Sequence, residues 1–285
     1  MLKRSTIQLL RFHFSLFLLP VFLFGLSQVR DINWRNALTV FLILHAFVYP
    51  SSNGYNSYMD RDQSPIGGLA NPLLPTKQLY LTSLVMDSIA ILLSLTISPY
   101  LALGILLYII ASRAYSYRRI RLKQYPIAGF LTVFIFQGAV IFFLTYTFSA
   151  KEINYNVPVL PCITSSFLIG ALYPLTQIYQ HEEDKKDNVT TISFILGKRG
   201  TFIFSMCMFL SATFLLYLRF HLTGHLNYFL LFLLFLLPVV LFFLYWMFRV
   251  WHNEDAADFK NSLRMNCVST FCTTLFFLTL IILNH

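Results

Sequence analysis

Two short clusters of polar and acidic residues, at 53–62 and 180–187, carry the clearest chemistry in the 285-residue chain. They hold half of its 12 acidic residues, namely Asp60, Asp62, Glu182, Glu183, Asp184 and Asp187. Grouped carboxylates repel one another unless a cation lies between them. Mg²⁺ suits that role because it takes oxygen ligands, typically one or two carboxylates together with substrate phosphate oxygens. The clusters therefore predict a Mg²⁺ site.

Helical spacing places the key oxygens of each cluster on one side. Asn56 and Asp60 are four residues apart and would share a helix face, as would Asp184 and Asp187. We favour a functional role for these acids because ionisable groups at the edge of a membrane span are unfavourable unless they are paired. For Glu182 and Lys186, an exposed ion pair of small energetic value is an equally good interpretation.

Basic and aromatic residues near the same helix ends complete the predicted site. Basic side chains are able to hold the outer oxygens of a diphosphate, and the candidates are Lys77, Arg118, Arg119, Arg121, Lys123 and Lys198. Asn53, Tyr115 and Tyr179 are either pocket residues or anchors at the membrane interface. A charged layer above an apolar, aromatic-rich bundle matches a lipid diphosphate, which has a charged head and a hydrocarbon tail.

The composition predicts that the elements positioning these residues lie in a membrane. Hydrophobic residues make up 57% of the chain and charged residues only 12%, about half the charged share of a soluble domain. A net charge of +9 is a feature of nucleic-acid binders, but in a membrane protein it reflects basic cytoplasmic loops. We therefore expect a lipid bilayer as the partner and no nucleic acid.

The sequence predicts an all-α membrane protein with nine transmembrane helices, because backbone groups in lipid must be satisfied within the segment. No linker divides it, so we expect a single polytopic domain over residues 1–285. The clusters follow the second and the sixth segment, which suggests two four-helix repeats plus a final helix. The predicted segments are 9–27, 36–55, 79–98, 100–117, 127–148, 157–179, 201–220, 226–248 and 265–283.

The basic residues predict the orientation of these segments. With the N-terminus in the cytoplasm and the C-terminus outside, all but four of the 21 Lys and Arg residues fall on the cytoplasmic side, as the positive-inside rule requires. The four exceptions are Arg30, Arg35, Lys151 and Arg219. Both acidic clusters then lie on the cytoplasmic side, and we expect a bacterial inner membrane.

The motifs resemble those of the UbiA superfamily of intramembrane prenyltransferases. The stretch from Asn56 to Asp62 is similar to the first aspartate-rich motif of that family, and the stretch from Glu182 to Gly197 is similar to the second. Tyr115 and Ser116, with the basic run that ends at Lys123, resemble the loop after the fourth helix of the family. The resemblance extends over the whole chain.

The resemblance implies a Mg²⁺-dependent enzyme that moves a prenyl group from a prenyl diphosphate to an aromatic or other lipophilic acceptor. Asp60 and Asp184 would be the central catalytic carboxylates. The implied metal ligands are Asn56, Asp60, Asp62, Glu183, Asp184 and Asp187. The implied diphosphate ligands are Arg118, Arg121, Lys123 and Lys198, with Lys77 nearby, and the implied prenyl or acceptor contacts are Asn53, Tyr115 and Tyr179.

The chain departs from the family pattern at several positions. Ser57, Ser64 and Gln180 stand where the family has acids, and Asn188 stands where it has glycine. The Arg-Pro pair expected after the first motif appears as an Asn-Pro pair at 71–72. An alternative therefore stays open, in which the same scaffold serves a transporter or a lipid-binding membrane protein without catalysis.

Overall fold

The computed structural model describes residues 2–153 and 155–285, and this part of the chain is built from helices without a β-strand. We number the main helices α1 to α10. They are α1 (Arg4–Ser27), α2 (34–60), α3 (Lys77–Leu95), α4 (Pro99–Ser116), α5 (Pro126–Phe148), α6 (Val159–Thr176), the short α7 (His181–Lys186), α8 (Ile192–Leu222), α9 (Leu226–His252) and α10 (Phe259–Asn284).

The predicted helical membrane fold is confirmed, but the count of nine spans stays a prediction. Eight of the described helices are long and apolar enough to cross a membrane, and α2 is not among them. Its second half, Tyr49–Asp60, carries serines, asparagines and an aspartate in place of an apolar run. The same polar residues that make α2 a candidate for chemistry lower its hydropathy as a span.

Two of the described helices contain a π-helical segment. Ile43–Val48 lies within α2 and Phe134–Val140 lies within α5. Such segments add a residue to a turn and often occur at functional sites. In α5 the segment includes Gly138, where a Cβ atom would collide with the backbone of Ser166 in α6. Glycine therefore lets α5 and α6 approach closely.

Aromatic side chains form much of the bundle core. Phe24 of α1 stacks on Phe277 of α10 at 4.6 Å between centroids and meets Phe142 of α5 edge-on at 5.1 Å. Large apolar side chains such as Leu230 and Leu234 of α9 point outwards and are exposed. An exposed apolar surface of this kind is what contact with lipid requires.

The alternation of helix directions brings distant segments to one end of the bundle. The end of α2, the connection between α4 and α5, and α7 all lie at the end that we call the acidic face. The other end, called the opposite face, includes the loop after α1, which is tied to the loop after α5 by backbone bonds from Asn33 to Ser149 and from Lys151 to Asp31.

Candidate functional site

A cavity of about 480 Å³ extends from the acidic face into the bundle. Its outer part is lined by polar residues of both clusters, including Asn53, Asn56, Asp60, Asp62, Gln180, Glu183, Asp184 and Asp187. Its deeper wall includes Tyr49, Tyr108, Phe136 and Ile169. The cavity therefore joins a carboxylate-rich entrance to an interior with several aromatic side chains, where polar side chains such as Gln137 also lie.

Asp60 is held at the entrance by the way α2 ends. The N–H of Arg61 donates to the Ser57 carbonyl as in a regular helix. Arg61 itself adopts the left-handed conformation (φ 58°), and this ends the helix directly after Asp60. The Asp60 side chain is only 3% exposed. Its Oδ2 accepts a hydrogen bond from Lys123, whereas its Oδ1 is buried without a hydrogen-bond partner.

Arg121 links the two clusters. Its Nη2 lies 2.5 Å from Oδ2 of Asp187 and 3.6 Å from Oδ1 of Asp60, and its Nη1 donates to the backbone carbonyl of Asp187 at 3.1 Å. Segments separated by more than a hundred residues thus meet across one guanidinium group. The bundle brings both predicted motifs to a single site.

Few stabilising contacts surround the buried carboxylate of Asp184. Its Oδ2 is buried without a hydrogen-bond partner, and the side chain lines the cavity. Burial raises the pKa of Asp184 to about 7; Lys123 opposes the shift, and the carboxylates of Asp62, Asp60 and Asp187 add to it. Burial and the neighbouring acids therefore favour the neutral form of Asp184 more than Lys123 favours its anion.

Asp62 has a similar environment just beyond the end of α2. Burial raises its pKa to about 6, the neighbouring Asp60 adds to the shift, and Lys123 and Arg11 oppose it. Two carboxylates with raised pKa values at one cavity entrance indicate a place where an additional cation would be stabilised.

The side chains present fit a magnesium ion that shares its ligands with a substrate. Among the described residues, no group of three or more His, Cys, Asp or Glu side chains is close enough to hold a metal ion alone. Mg²⁺ commonly needs only one or two carboxylates when phosphate oxygens and water supply the other ligands. The unpartnered oxygens of Asp60 and Asp184 are suited to that role.

The predicted amide and tyrosine residues separate into two groups. Asn53, Asn56 and Tyr115 line the cavity, and the Asn56 amide donates to the Ser116 hydroxyl at 3.0 Å. The Tyr115 hydroxyl lies 2.5 Å from that of Tyr173.

Tyr179 is not among the lining residues. Its ring packs edge-on against Phe259 of α10 at 5.3 Å, and burial raises the pKa of its hydroxyl.

The predicted basic residues also differ in position. Lys123 lines the cavity, whereas Arg118 donates to the backbone carbonyls of Met59 and Asp60 at the end of α2. Lys77 is exposed at the start of α3 and outside the lining. Lys198 lies outside it too and donates to the Glu254 carbonyl in the loop before α10.

The exposed part of the second cluster contains a surface ion pair, as in the alternative interpretation given for Lys186 above. Lys186 and Glu183 form an ion pair at 2.8 Å with both side chains about half or more exposed, and Glu182 is exposed as well. Glu183 and Lys186 still reach the rim of the cavity. An exposed pair of this kind contributes little to stability.

Arg11 lines the cavity although it is not among the site residues predicted from the sequence. It is 5% exposed and interrupts α1 with a left-handed conformation (φ 47°). Its guanidinium lines the cavity and donates to the backbone carbonyls of Gly67 and Asn53. An arginine inside an otherwise apolar span was the available signal.

A sequence model of the UbiA prenyltransferase family matches residues 16–270, which is most of the chain. The chain belongs to the UbiA prenyltransferase family. It is thus a multi-pass membrane protein of a family whose general activity is prenyl transfer. None of the curated proteins compared with the chain matches it.

Solved structures share the fold of this UbiA family member. A UbiA homolog from Archaeoglobus fulgidus bound to DMAPP and Mg²⁺ is 17% identical, with a TM-score of 0.69 over 97% of this chain and 99% of that one. The apo UbiA homolog from Aeropyrum pernix K1 is 16% identical, with a TM-score of 0.69 over 94% and 98%. A structure of digeranylgeranylglyceryl phosphate synthase is 17% identical, with a TM-score of 0.61 over 98% and 97%.

Proposed function

We propose that this protein is a Mg²⁺-dependent intramembrane prenyltransferase that moves a prenyl group from a prenyl diphosphate to an aromatic or other lipophilic acceptor. One observation carries the proposal. Buried carboxylate oxygens of Asp60 and Asp184 that accept no hydrogen bond lie at the entrance of a cavity whose deeper wall includes several aromatic side chains. Such groups are retained where a ligand satisfies them.

The donor class is supported by related structures. The Archaeoglobus fulgidus homolog has been solved with DMAPP and Mg²⁺ and with GPP and Mg²⁺. The fold is shared along nearly the whole length of both chains. A prenyl diphosphate with its head at the acidic face and its tail in the cavity would match the polarity of the two regions.

The proposed metal ligands are Asn56 and Asp60 from α2 and Asp184 from α7, with Asp62, Glu183 and Asp187 as neighbouring ligands. When bound, Mg²⁺ would neutralise the diphosphate oxygens and so make the diphosphate a better leaving group. Asn56 is already oriented by Ser116, so its side-chain oxygen is free to face the cavity. Asp60 and Asp184 each keep one oxygen without a hydrogen bond.

The basic residues of the entrance would bind the diphosphate itself. Lys123 is the first candidate because it lines the cavity beside Asp60, and Arg121 is the second because it lies between the two clusters. Arg118, Lys77 and Lys198 would contribute from outside the cavity lining through charge at longer range.

The interior would accommodate the prenyl group and the acceptor. The rings of Tyr49, Tyr108 and Phe136 line the deeper wall, and aromatic faces stabilise a developing allylic cation. Asn53 and Tyr115 would contact the acceptor or the first prenyl unit, and Tyr179 would act from behind this layer.

We further propose that residues 1–285 form one domain in a bacterial inner membrane, with the N-terminus and the acidic face in the cytoplasm and the C-terminus outside. The positive-inside distribution of Lys and Arg supports this orientation. Diphosphate substrates made in the cytoplasm would then reach the entrance directly.

A second candidate function is lipid or prenyl diphosphate binding without transfer. Ser57, Ser64 and Gln180 replace acids, and Lys123 is paired with Asp60 where a metal would bind. A site with fewer acids and its own cation would bind a diphosphate while promoting its departure less strongly.

Diphosphate release by the purified protein in detergent, with Mg²⁺, geranyl diphosphate and a panel of aromatic acceptors, tests the proposal. We expect Asp60→Asn and Asp184→Asn each to lower the rate by about 100-fold or more, since each removes a charge that supports the leaving group. Asp255→Asn is the matched control, because Asp255 is an exposed acid near the same face.

Binding of the unreacted donor separates the two candidates. Geranyl diphosphate that protects the parent from thermal unfolding without any release of diphosphate, with every acceptor tried, would favour the binding function. Release that is equal in the parent and in both variants would refute the enzyme proposal at these residues.

A further inference from the structure

A second cavity, of about 310 Å³, lies at the opposite face, far from both acidic clusters. It is formed by the end of α1, the end of α8, the start of α9 and the end of α10. Its lining includes Arg30, Arg219, His225, Gln28 and Tyr228. The prenyl diphosphate proposed above would bind at the other end of the bundle, so this cavity has no role in that reaction.

The positive charge in this cavity has no acidic partner in the part of the chain that the structure describes. Arg219 is partly buried near the end of α8, and its Nε donates to the neutral Gln28 side chain at 3.3 Å. Among the described residues, no carboxylate lies within 4.0 Å of Arg219 or Arg30. An anion from outside the chain would stabilise a cation in this position.

The arginines are not required to cap the helix ends. The Ser27 carbonyl at the end of α1 accepts a hydrogen bond from the Asn284 amide at 3.2 Å. The Val29 carbonyl accepts one from the His285 ring at 3.1 Å. Other side chains therefore satisfy these carbonyls, and the guanidinium groups keep donors for a ligand.

The charge pattern of the sequence points the same way. Only four basic residues lie at the opposite face by the positive-inside count, and two of them, Arg30 and Arg219, line this one cavity. Beside it, Leu222, Leu226 and Leu230 are exposed apolar side chains. A phosphate group in the cavity would pair with the arginines, and an attached acyl chain would cover the exposed leucines.

We propose that this cavity binds the phosphate group of an anionic phospholipid from the leaflet at the opposite face. Arg219, which is partly buried, forms the inner contact, and Arg30, which is exposed, forms the outer one. Each guanidinium group is able to donate two parallel hydrogen bonds to phosphate oxygens. The Tyr228 hydroxyl, which donates to Asn284 at 3.3 Å, closes the side of the cavity.

Native mass spectrometry of the full chain, titrated with phosphatidylglycerol or phosphatidylcholine, tests the proposal. We expect phosphatidylglycerol to bind more tightly, and Arg219→Gln to weaken its binding by about tenfold, as expected for loss of one charge-assisted contact. Arg35→Gln is the matched control, since Arg35 is an exposed arginine at the same face outside the cavity.

A second variant keeps both charges and removes the space. Thr223 is exposed at the cavity wall, so Thr223→Trp should fill the cavity and weaken phosphatidylglycerol binding while Arg219 stays in place. This variant provides a test even where Arg219→Gln lowers the yield of folded protein.

Inorganic phosphate, added in a thermal unfolding assay, distinguishes the source of the phosphate. An Arg219-dependent stabilisation by inorganic phosphate, with no preference for phosphatidylglycerol over phosphatidylcholine, would overturn the lipid proposal. Equal loss of lipid binding in Arg219→Gln and Arg35→Gln would overturn it as well, because a general surface charge effect would then explain the binding.

Discussion

Two buried groups of charges in this protein differ in how completely they are satisfied. In the first, Asp87 of α3 accepts hydrogen bonds from Ser51 at 2.5 Å and from Nε of Arg113 at 3.1 Å, and its second oxygen also pairs with Nη2 of Arg113. The Arg113 guanidinium stacks on the Tyr55 ring at 4.0 Å. In the second, at the acidic face, Asp60 and Asp184 each keep a buried oxygen without a hydrogen bond.

The difference separates a structural from a functional role. Ser51, Asp87 and Arg113 join α2, α3 and α4, and both oxygens of Asp87 accept hydrogen bonds, so this carboxylate has no free ligand position. The acidic face keeps unsatisfied oxygens at a cavity entrance, which is unfavourable for folding and useful for binding. We therefore expect substitutions in the first cluster to change stability and substitutions in the second to change activity.

Asp87→Asn is expected to have the largest effect on stability. It leaves Arg113 buried without its carboxylate, which typically lowers the free energy of unfolding by about 3 kcal/mol or more. Unfolding in detergent, followed by circular dichroism, measures the loss. A variant as stable as the parent would show that the pair is not structural.

Replacing both partners sharpens the same test. Asp87→Leu combined with Arg113→Met removes the two charges together, and buried ion pairs replaced by apolar residues are often neutral in stability. We expect the double variant to regain most of the stability that Asp87→Asn loses. A double variant as unstable as the single one would assign the effect to the hydrogen bond from Ser51.

Lys123→Met is expected to have an intermediate effect. Asp60 loses its hydrogen-bond donor, but Arg121 stays 3.6 Å from its other oxygen, so the loss of stability should be about 1–2 kcal/mol. The same variant should weaken the binding of inorganic diphosphate, measured by calorimetry. Unchanged diphosphate binding would remove Lys123 from the proposed site.

Asp184→Asn is expected to leave the metal-free protein as stable as the parent or slightly more stable. The pKa of Asp184 is raised from 3.8 to about 7 in the folded protein, so the folded state binds the proton more tightly than the unfolded state does. The stability of the parent relative to the variant therefore falls as the pH rises from about 4 to about 7 and is constant above that.

Melting temperatures of the parent and Asp184→Asn at about pH 5 and about pH 8 measure this trend. The advantage of the variant should grow from the lower to the higher pH by about 1 kcal/mol or more. A variant that is less stable than the parent at both pH values would mean that the carboxylate is satisfied in solution.

Lys186→Ala is expected to have the smallest effect on stability. The Lys186–Glu183 pair is exposed on both sides, so solvent screens it and we expect no measurable change in melting temperature. A clear loss of stability would show that α7 depends on this pair.

The sequence predicted the helical bundle and the two clusters because these rest on local patterns. Apolar runs of sufficient length require helices in lipid, and polar residues three or four positions apart share a helix face. The partners of Arg11 and Arg113 could not be predicted in this way. Both are ordinary basic residues in the sequence, and their contacts join residues between 26 and 62 positions apart.

The sequence by itself determined that the chain is a helical membrane protein with two acid-rich motifs, since hydropathy and residue type alone fix these features. The tertiary structure decided which residues meet. Helix packing paired Lys123 with Asp60 and left one oxygen each of Asp60 and Asp184 without a hydrogen bond. It also kept Lys77, Lys198 and Tyr179 away from the cavity lining and gathered Arg30 and Arg219 at the opposite face. These outcomes depend on distances across the bundle, which no local pattern contains.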